Sequence, residues 1–250
     1  MEITAYIINL KKSEDRRAYM TQVMKPFPFL RPVFIEAING RELAREELMA
    51  LFNIDEGYRR YGRDVRPTEV GCTLSHKKCA KALLESSDKV ALVLEDDLVW
   101  QSEQIEGVFD AIYDYMNVDE PIIFLLSGDY WFKRIDDFSC GYSIATVWDA
   151  VCAQAYLINR PAAEKLLSME NWHLADDWYE IRNAGITLKA LYHHVADQNR
   201  ADIKSVIAEK YAGINRRNMP ARYMLRSYWR SAVDKLLVWA GHFEEKNFKW

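Results

Sequence analysis

Lys89–Ser102 reads KVALVLEDDLVWQS: an apolar run from Val90 to Leu94, three consecutive carboxylates at Glu95, Asp96 and Asp97, and then apolar residues again. A continuous apolar run of this length predicts a strand buried on both faces, as in a sheet covered by helices on each side. Adjacent acids repel one another, and desolvating any of them is costly unless hydrogen bonds or a cation compensate. Two readings follow: a solvated strand end whose acids cap a following helix, or a cation site. Side chains alternate along an extended chain, so Glu95 and Asp97 are expected on one side and Asp96 on the other. Two oxygen ligands on one side suit a hard ion such as Mg²⁺ or Mn²⁺, whose coordination is completed by water and substrate phosphates.

Outward from this stretch, strands alternate with helices. Thr4–Leu10 (TAYIINL) reads as a first strand, followed by a helix with Ser13 at its cap. Pro32–Gly40 (PVFIEAING) reads as a strand and turn, and Arg41–Asn53 as a helix with Leu43, Leu48, Leu51 and Phe52 on its apolar face. The polar, Arg-rich segment 55–66 reads as a loop. Pro67–Ser87 (PTEVGCTLSHKKCAKALLESS) reads as a helix capped by Thr68 and running directly into the Val90 strand. A second apolar strand follows Pro121 and stops at Ser127, Gly128 and Asp129. Asp149–Met169 reads as a strand and then a helix with Pro161 in its first turn, and Gly185–Gln198 as the last strand with a histidine pair.

This order predicts an α/β fold with a mostly parallel mixed sheet flanked by helices. In such sheets ligands bind at the carboxyl ends of strands, where both acidic stops lie. The composition changes after Gly213 to Arg, Trp, Tyr and Met, which divides the chain into a catalytic domain, 1–212, and a helical C-terminal appendage, 213–250.

The chain has 250 residues, half of them hydrophobic, enough for a substantial core. Its net charge of −4 gives no basic field for nucleic acid. Cys72, Cys79, Cys140 and Cys152 form no C-x-x-C pair, which predicts reduced thiols. No phosphate-binding glycine loop, dinucleotide turn or nucleophile elbow is present. No apolar run is long enough to span a bilayer, and the first residues carry no leader pattern, so a cytoplasmic enzyme is expected, soluble or peripherally attached to the membrane.

In the appendage, Arg222, Arg226 and Arg230 recur every four residues beside an apolar stripe of Leu225, Trp229, Val233 and Leu236. Lys210, Arg216 and Arg217 extend the basic patch. Such a helix suits an anionic membrane surface, and equally a helix packed on the domain or a dimer interface.

Five blocks, YIINL with Arg16 and Arg17, EAING, PTEVGCTLSH, LVLEDDL and AYLINRPAAEKLL, resemble in the same order those of glycosyltransferase family 25. Its bacterial members extend lipooligosaccharide or lipopolysaccharide, and its animal relatives galactosylate collagen. The resemblance, over residues 3 to 205, implies a GT-A-like nucleotide-sugar-binding fold, a UDP-sugar donor, a lipid-linked oligosaccharide acceptor, Mn²⁺ or Mg²⁺ at the E-D-D motif, and inversion at the anomeric carbon. It implies Asp97 as metal ligand with Glu95 beside it, and Asp96 nearer the ribose or the sugar. By the same resemblance Asn9, Leu10, Arg16 or Arg17, and the turn from Ala37 through Asn39 to Gly40 are expected to surround uridine. Ser75 and His76 face the donor, and His194 adds a metal or phosphate contact.

An inverting transfer needs a base for the acceptor hydroxyl. The acidic pair of HLADDWYE supplies it, Asp177 ahead of Asp176, with Trp178 stacking on a sugar face and Glu180 in reserve. Asp129 and Asp149 are expected on sugar hydroxyls. The same acidic strand end would also serve a metal-dependent nucleotidyltransferase or phosphohydrolase, and a non-catalytic glycan-binding domain is the rival outside enzymes.

Overall fold

The first strand, β1 (Ile3–Asn9), is buried along its whole length and forms the axis around which a computed structural model of the chain is laid out. The structure describes residues 2–102, 105–199, 219–241 and 244–246. In chain order β1 is followed by α1 (Glu14–Met24), β2 (Leu30–Glu36), α2 (Arg45–Leu51), α3 (Ile54–Tyr61), α4 (Pro67–Glu85), β3 (Val90–Glu95), β4 (Leu98–Trp100) and α5 (Glu106–Met116). Then come β5 (Ile122–Leu125), β6 (Asp129–Ser139), β7 (Tyr142–Val151), β8 (Ala155–Asn159), α6 (Arg160–Ser168), α7 (Trp178–Asn183), β9 (Thr187–Tyr192), β10 (Ala196–Gln198), α8 (Ala221–Trp239) and β11 (Glu244–Lys246).

Nine strands form one sheet in the order β11-β6-β7-β9-β5-β8-β3-β1-β2, and β10 pairs with β4 in a small ribbon. β1 runs parallel to β2 and β3, and β5 parallel to β9. β8, β7 and β11 run against their neighbours, so six of the nine strands point the same way. The expected α/β architecture, a mostly parallel mixed sheet between helices with a helix at the C-terminal end, is the one observed.

Alternation along β3 explains the layers. Val90, Leu92 and Leu94 enter the core that holds α1 and α5, through Met20, Phe109 and Ile112. Ala91 and Val93 enter the opposite core, with Cys79 and Leu83 of α4 and Ala162 and Leu166 of α6. A strand buried on both faces has no solvent side, which is why its sequence is uniformly apolar.

Several local expectations are corrected. Segment 55–66 holds a helix, α3, and its polar composition hid the devices that stabilise it. Asn53 accepts from the Glu56 amide, Glu56 pairs with Arg59 and Arg60 one turn on, and Gly62 closes the helix in the left-handed region. Thr68 lies within α4, whose first helical residue is Pro67, and the Arg66 amide donates to Glu69 Oε2. Ser13 stands at the start of α1 without a side-chain capping bond. Leu51, expected on the apolar face, is exposed, while Leu48 and Phe52 are buried. Asp149–Asn159 is two strands, broken at Cys152, whose φ is 72°. The expected boundary between 212 and 213 lies outside the described residues, as do Lys210, Arg216 and Arg217.

Asn159 joins these layers from a buried position. Its side-chain oxygen accepts from the amides of Ile122 and Ala162, and its nitrogen donates to the carbonyls of Met116 and Glu120. Asn159→Leu would leave several buried backbone groups unpaired and is expected to cost about 3 kcal/mol, from roughly 1–3 kcal/mol for each group not rescued by relaxation. Urea unfolding of the two proteins checks this value.

Candidate functional site

The three acids sit where β3 ends. Glu95 is the last strand residue and Asp96 and Asp97 form the turn into β4, so the strict alternation expected for an extended chain does not extend past Glu95. Each acid has different company. Asp96 is neutralised by two neighbouring elements: Asn9, at the end of β1, donates to Oδ2 at 2.8 Å, and Arg16 of α1 donates to Oδ1 at 2.6 Å. Asp97 receives Gln198 Nε2 on Oδ2 at 2.9 Å and stands 3.8 Å from Arg16. Its other oxygen, Oδ1, is buried and has no hydrogen-bond donor. Glu95 lies 3.5 Å from His76 Nε2.

Burial, first, and then the charge of Glu95 push the Asp97 carboxyl above its ordinary range. A buried carboxylate oxygen without a donor, next to two further acids, is a setting that a hard divalent ion would relieve. The residues present therefore fit the expected cation.

The wall facing the acids is built by a close backbone approach. Beyond β2 the chain turns through residues 37–40 and lies against the first turns of α4. A Cβ on Gly40 would overlap the Pro67 carbonyl, and one on Gly71 would overlap the Ile38 carbonyl. The two glycines let the turn touch the helix. Ser75 locks the contact, accepting from the Ile38 amide at 2.8 Å and donating to the Gly71 carbonyl at 2.6 Å. Its hydroxyl is thereby committed to the wall.

The result is an open pocket that brings together Leu10, Arg16, Ala37, Asn39, Gly40, Ser75, His76, Glu95, Asp96 and Asp97. Asn9 sits immediately behind it on Asp96. Ile38, within the expected turn, lines it too; Cys72, Thr68 and Gln198 also line it and were missed, since nothing in the sequence marks them as facing the acids.

Other expected residues are placed elsewhere. Arg17 lies over the Phe34 ring, 4.0 Å from its centroid, and does not line the pocket. Asp129 begins β6 opposite Val151, outside the described pockets. His194 is buried against Tyr130, and burial followed by the proximity of His193 pushes it down to about 3. It does not line the acidic pocket; Gln198 does.

Trp178 is corrected outright. It is 1% exposed, its indole donates to the Cys152 carbonyl at 2.8 Å, and it packs in the core with Tyr156, so no sugar can stack on it. Only position beside the acidic pair suggested that role.

A second crevice lies between α7 and α8 and is lined by Tyr61, Asp149, Asp176, Asp177, Tyr179, Glu180, Tyr223, Arg226 and Arg230. A third hollow joins the two. It shares Cys72, Glu95 and Gln198 with the acidic pocket, and Val151, Leu174 and Asp176 with the crevice.

Asp177 is occupied: it caps α7 through the Glu180 amide and accepts from Tyr61 Oη at 2.7 Å. Asp176 opens into the hollow. The residue is exposed, but protein crowds its carboxyl, and this desolvation, followed by the charge of Asp177, pushes it up to about 6. Asp149 pairs with Arg230 and Glu180 with Arg226; burial nevertheless raises both acids. Arg226 and Arg230 thus dock α8 onto the domain, as in the packed-helix alternative of the sequence reading. The other side of that helix exposes Leu225, Tyr228, Trp229, Leu236 and Trp239. Among the described residues no helix is long and apolar enough to cross a membrane.

Comparison with known proteins places these blocks in context. The family described as "Glycosyltransferase family 25 (LPS biosynthesis protein)" matches residues 2–179. Human procollagen galactosyltransferase 2 is 32% identical over 127 residues, 48% of this chain and 20% of the relative. The mouse protein is 31% identical over 166 residues, 56% of this chain and 25% of the relative. The match thus spans a quarter or less of these longer proteins. Among solved structures, a Drosophila β1,4-galactosyltransferase 7 mutant in complex with manganese, UDP-Gal and xylobiose is 11% identical with a TM-score of 0.39, covering 86% of this chain and 83% of that one. A Bacillus anthracis glucose-1-phosphate thymidylyltransferase is 9% identical with a TM-score of 0.36, covering 75% and 86%. Likenesses this distant define neither a ligand nor an activity.

Asp176 makes a pH prediction. Its native carboxyl titrates near 6, against about 3.9 in an unfolded chain. The native state therefore binds the proton more tightly between these values, and this residue's contribution to stability falls as pH rises from about 4 to 6. Asp176→Asn is expected to melt higher than the parent above pH 6, with the gain vanishing below pH 4. Melting curves across that range test it, and parallel pH dependences for the two proteins would contradict it.

Proposed function

The chain belongs to glycosyltransferase family 25, and on that premise we propose that it transfers a hexose, galactose in the first instance, from a UDP-sugar to a saccharide hydroxyl of a lipooligosaccharide or lipopolysaccharide. Transfer inverts the anomeric carbon and depends on Mn²⁺ or Mg²⁺. The observation that carries this reading is the hollow that shares lining residues with the acidic pocket and with the crevice under α8, with Asp176 on the wall of hollow and crevice. Galactose is supported by the names of the procollagen galactosyltransferases, and the bacterial glycan by the family description.

The acidic pocket holds the donor and the crevice holds the acceptor. Asp97 and Glu95 would hold the cation, which supplies positive charge against the departing diphosphate. Arg16 and Asn9 keep Asp96 neutralised and fixed, so it shapes the pocket floor. Asp176 takes the proton of the acceptor hydroxyl. A carboxyl near 6 is ionised at neutral pH yet more basic than an ordinary aspartate, as a general base requires. Asp177 positions Asp176 by closing the turn into α7, and Tyr61 holds Asp177. Tyr61, Trp172, Tyr179 and Tyr223, rather than Trp178, line the acceptor crevice.

The exposed stripe of α8 meets an anionic membrane surface. Trp229 and Trp239 are suited to the headgroup level, and Arg222 and Lys235 are exposed on the same helix. This helix also lines the acceptor crevice, so contact with the bilayer would bring a lipid-linked glycan to it.

Screening UDP-sugars for Mn²⁺-dependent UDP release is expected to single out one donor. Asp97→Ala should abolish that release. Asp176→Asn should lower kcat for transfer by at least about 100-fold with little change in the donor KM, as for loss of a general base. A response only to a nucleoside triphosphate, with pyrophosphate formed, would replace this reading by a nucleotidyltransferase. For the membrane contact, Trp229→Ser with Trp239→Ser is expected to abolish co-sedimentation with vesicles containing phosphatidylglycerol while leaving UDP release intact; unchanged sedimentation removes α8 from membrane binding.

A further inference from the structure

Cys72 and His76 lie one turn apart on the same face of α4, and Glu95 ends the strand opposite them. The Cys72 thiol, a His76 ring nitrogen and a Glu95 oxygen all lie within 4.8 Å of one another. His76 is 3% exposed, and its Nε2 is a buried polar atom without a hydrogen bond, 3.5 Å from Glu95 Oε1. Its Nδ1 is 3.0 Å from Tyr156 Oη, and the two rings stack. When Nδ1 carries the proton and donates it to Tyr156, Nε2 keeps its lone pair and points it at the thiol and the carboxylate. A tyrosine that fixes ring and tautomer from behind is the outer support that metal-ligating histidines commonly have.

We propose that Cys72, His76 and Glu95 form a binding site for a soft or borderline divalent cation, Zn²⁺ above all, on the wall of the acidic pocket, overlapping the hard-ion position at Asp97 only through Glu95. One sulfur, one imidazole nitrogen and one carboxylate oxygen make a donor set that Zn²⁺, Co²⁺ and Cd²⁺ accept and that Mg²⁺ does not favour. Ligand atoms bound at about 2.0–2.3 Å around one ion lie closer together than 4.8 Å, and rotation of the half-buried Glu95 side chain closes the set. Three protein ligands leave the fourth tetrahedral position facing the pocket, as in open zinc sites.

Binding releases the thiol proton to solvent and leaves a metal-bound thiolate; no electron moves. Without metal the thiol stays protonated, because burial and then the charge of Glu95 raise it well above its ordinary value. The site shares Glu95 with the proposed hard-ion position. Zn²⁺ bound here therefore competes with Mn²⁺ for that carboxylate and acts as an inhibitor of a Mn²⁺-loaded enzyme.

Direct titration of the full chain with Co²⁺ alone tests the site without recourse to activity. The expected result is a thiolate-to-cobalt charge-transfer band in the near ultraviolet that saturates at one equivalent. It should be lost in Cys72→Ser and Cys72→Ala, weakened in Glu95→Gln and retained in Asp97→Asn. Circular dichroism of both Cys72 variants checks that the fold survives. No band in the parent overturns the proposal, and so does a band that persists in the Cys72 variants, which would belong to Cys79, Cys140 or Cys152. Mn²⁺-dependent UDP release, measured separately, reports on the transferase reading, so failure of one leaves the other standing.

Discussion

Charge compensation at the end of β3 is the constraint on which the rest of the molecule depends. Three acids occupy consecutive positions, and Arg16 is the cation the described residues bring within 4 Å of Asp96 and Asp97. Arg16 and Asn9 satisfy Asp96 on both oxygens, Gln198 satisfies one oxygen of Asp97, and the remaining Asp97 oxygen is buried with no donor. Negative charge is left over in a partly dry place, and desolvated like charges are costly. Each neighbour of the turn follows from that imbalance. α1 turns Arg16 inward, β1 ends in an amide, and β10 pairs with β4 so that Gln198 reaches the acid.

α4 organises the opposite wall. Its Gly71 touches the turn at Gly40, its Ser75 locks that contact, and its Cys72 and His76 face Glu95. On its other turns Cys79, Ala80 and Leu83 enter the core against β3. One rigid helix therefore fixes the pocket wall to the sheet that carries the acids. Thr73, on the same helix, accepts from the Ala175 amide at 3.0 Å and so ties the segment leading to Asp176 to that frame. Acids held above their ordinary range, as Asp97 and Asp176 are, work against stability at neutral pH. The dense packing of both faces of the sheet offsets that strain.

Elements with a strong period were legible from the residues. β1 and β3 could be placed because continuous apolar runs admit few alternatives, and α6 because Pro161 marks its first turn. α3 was not legible, since its stability lies in Asn53, in Glu56 with its two arginines, and in Gly62, none of which forms an apolar stripe. Trp178 misled for a related reason: adjacency to an acidic pair says nothing about direction, and the start of α7 turns its indole into the core while Asp176 faces the hollow.

The sequence by itself determined that an acidic cluster ends a buried strand and that a helix carrying G-C-x-L-S-H runs into that strand. These features are local, and a few residues in a row suffice to specify them. Tertiary structure alone decided that Arg16 and Asn9 settle Asp96 and leave a buried Asp97 oxygen without a donor, and that Cys72 and His76 meet Glu95. It also decided that Asp176, rather than its neighbour, lines both hollow and crevice, and that Arg226 and Arg230 bind the domain. Each of these is a contact between segments far apart in the chain, made when the sheet brings strand ends together, and no periodicity records which side chains will meet there.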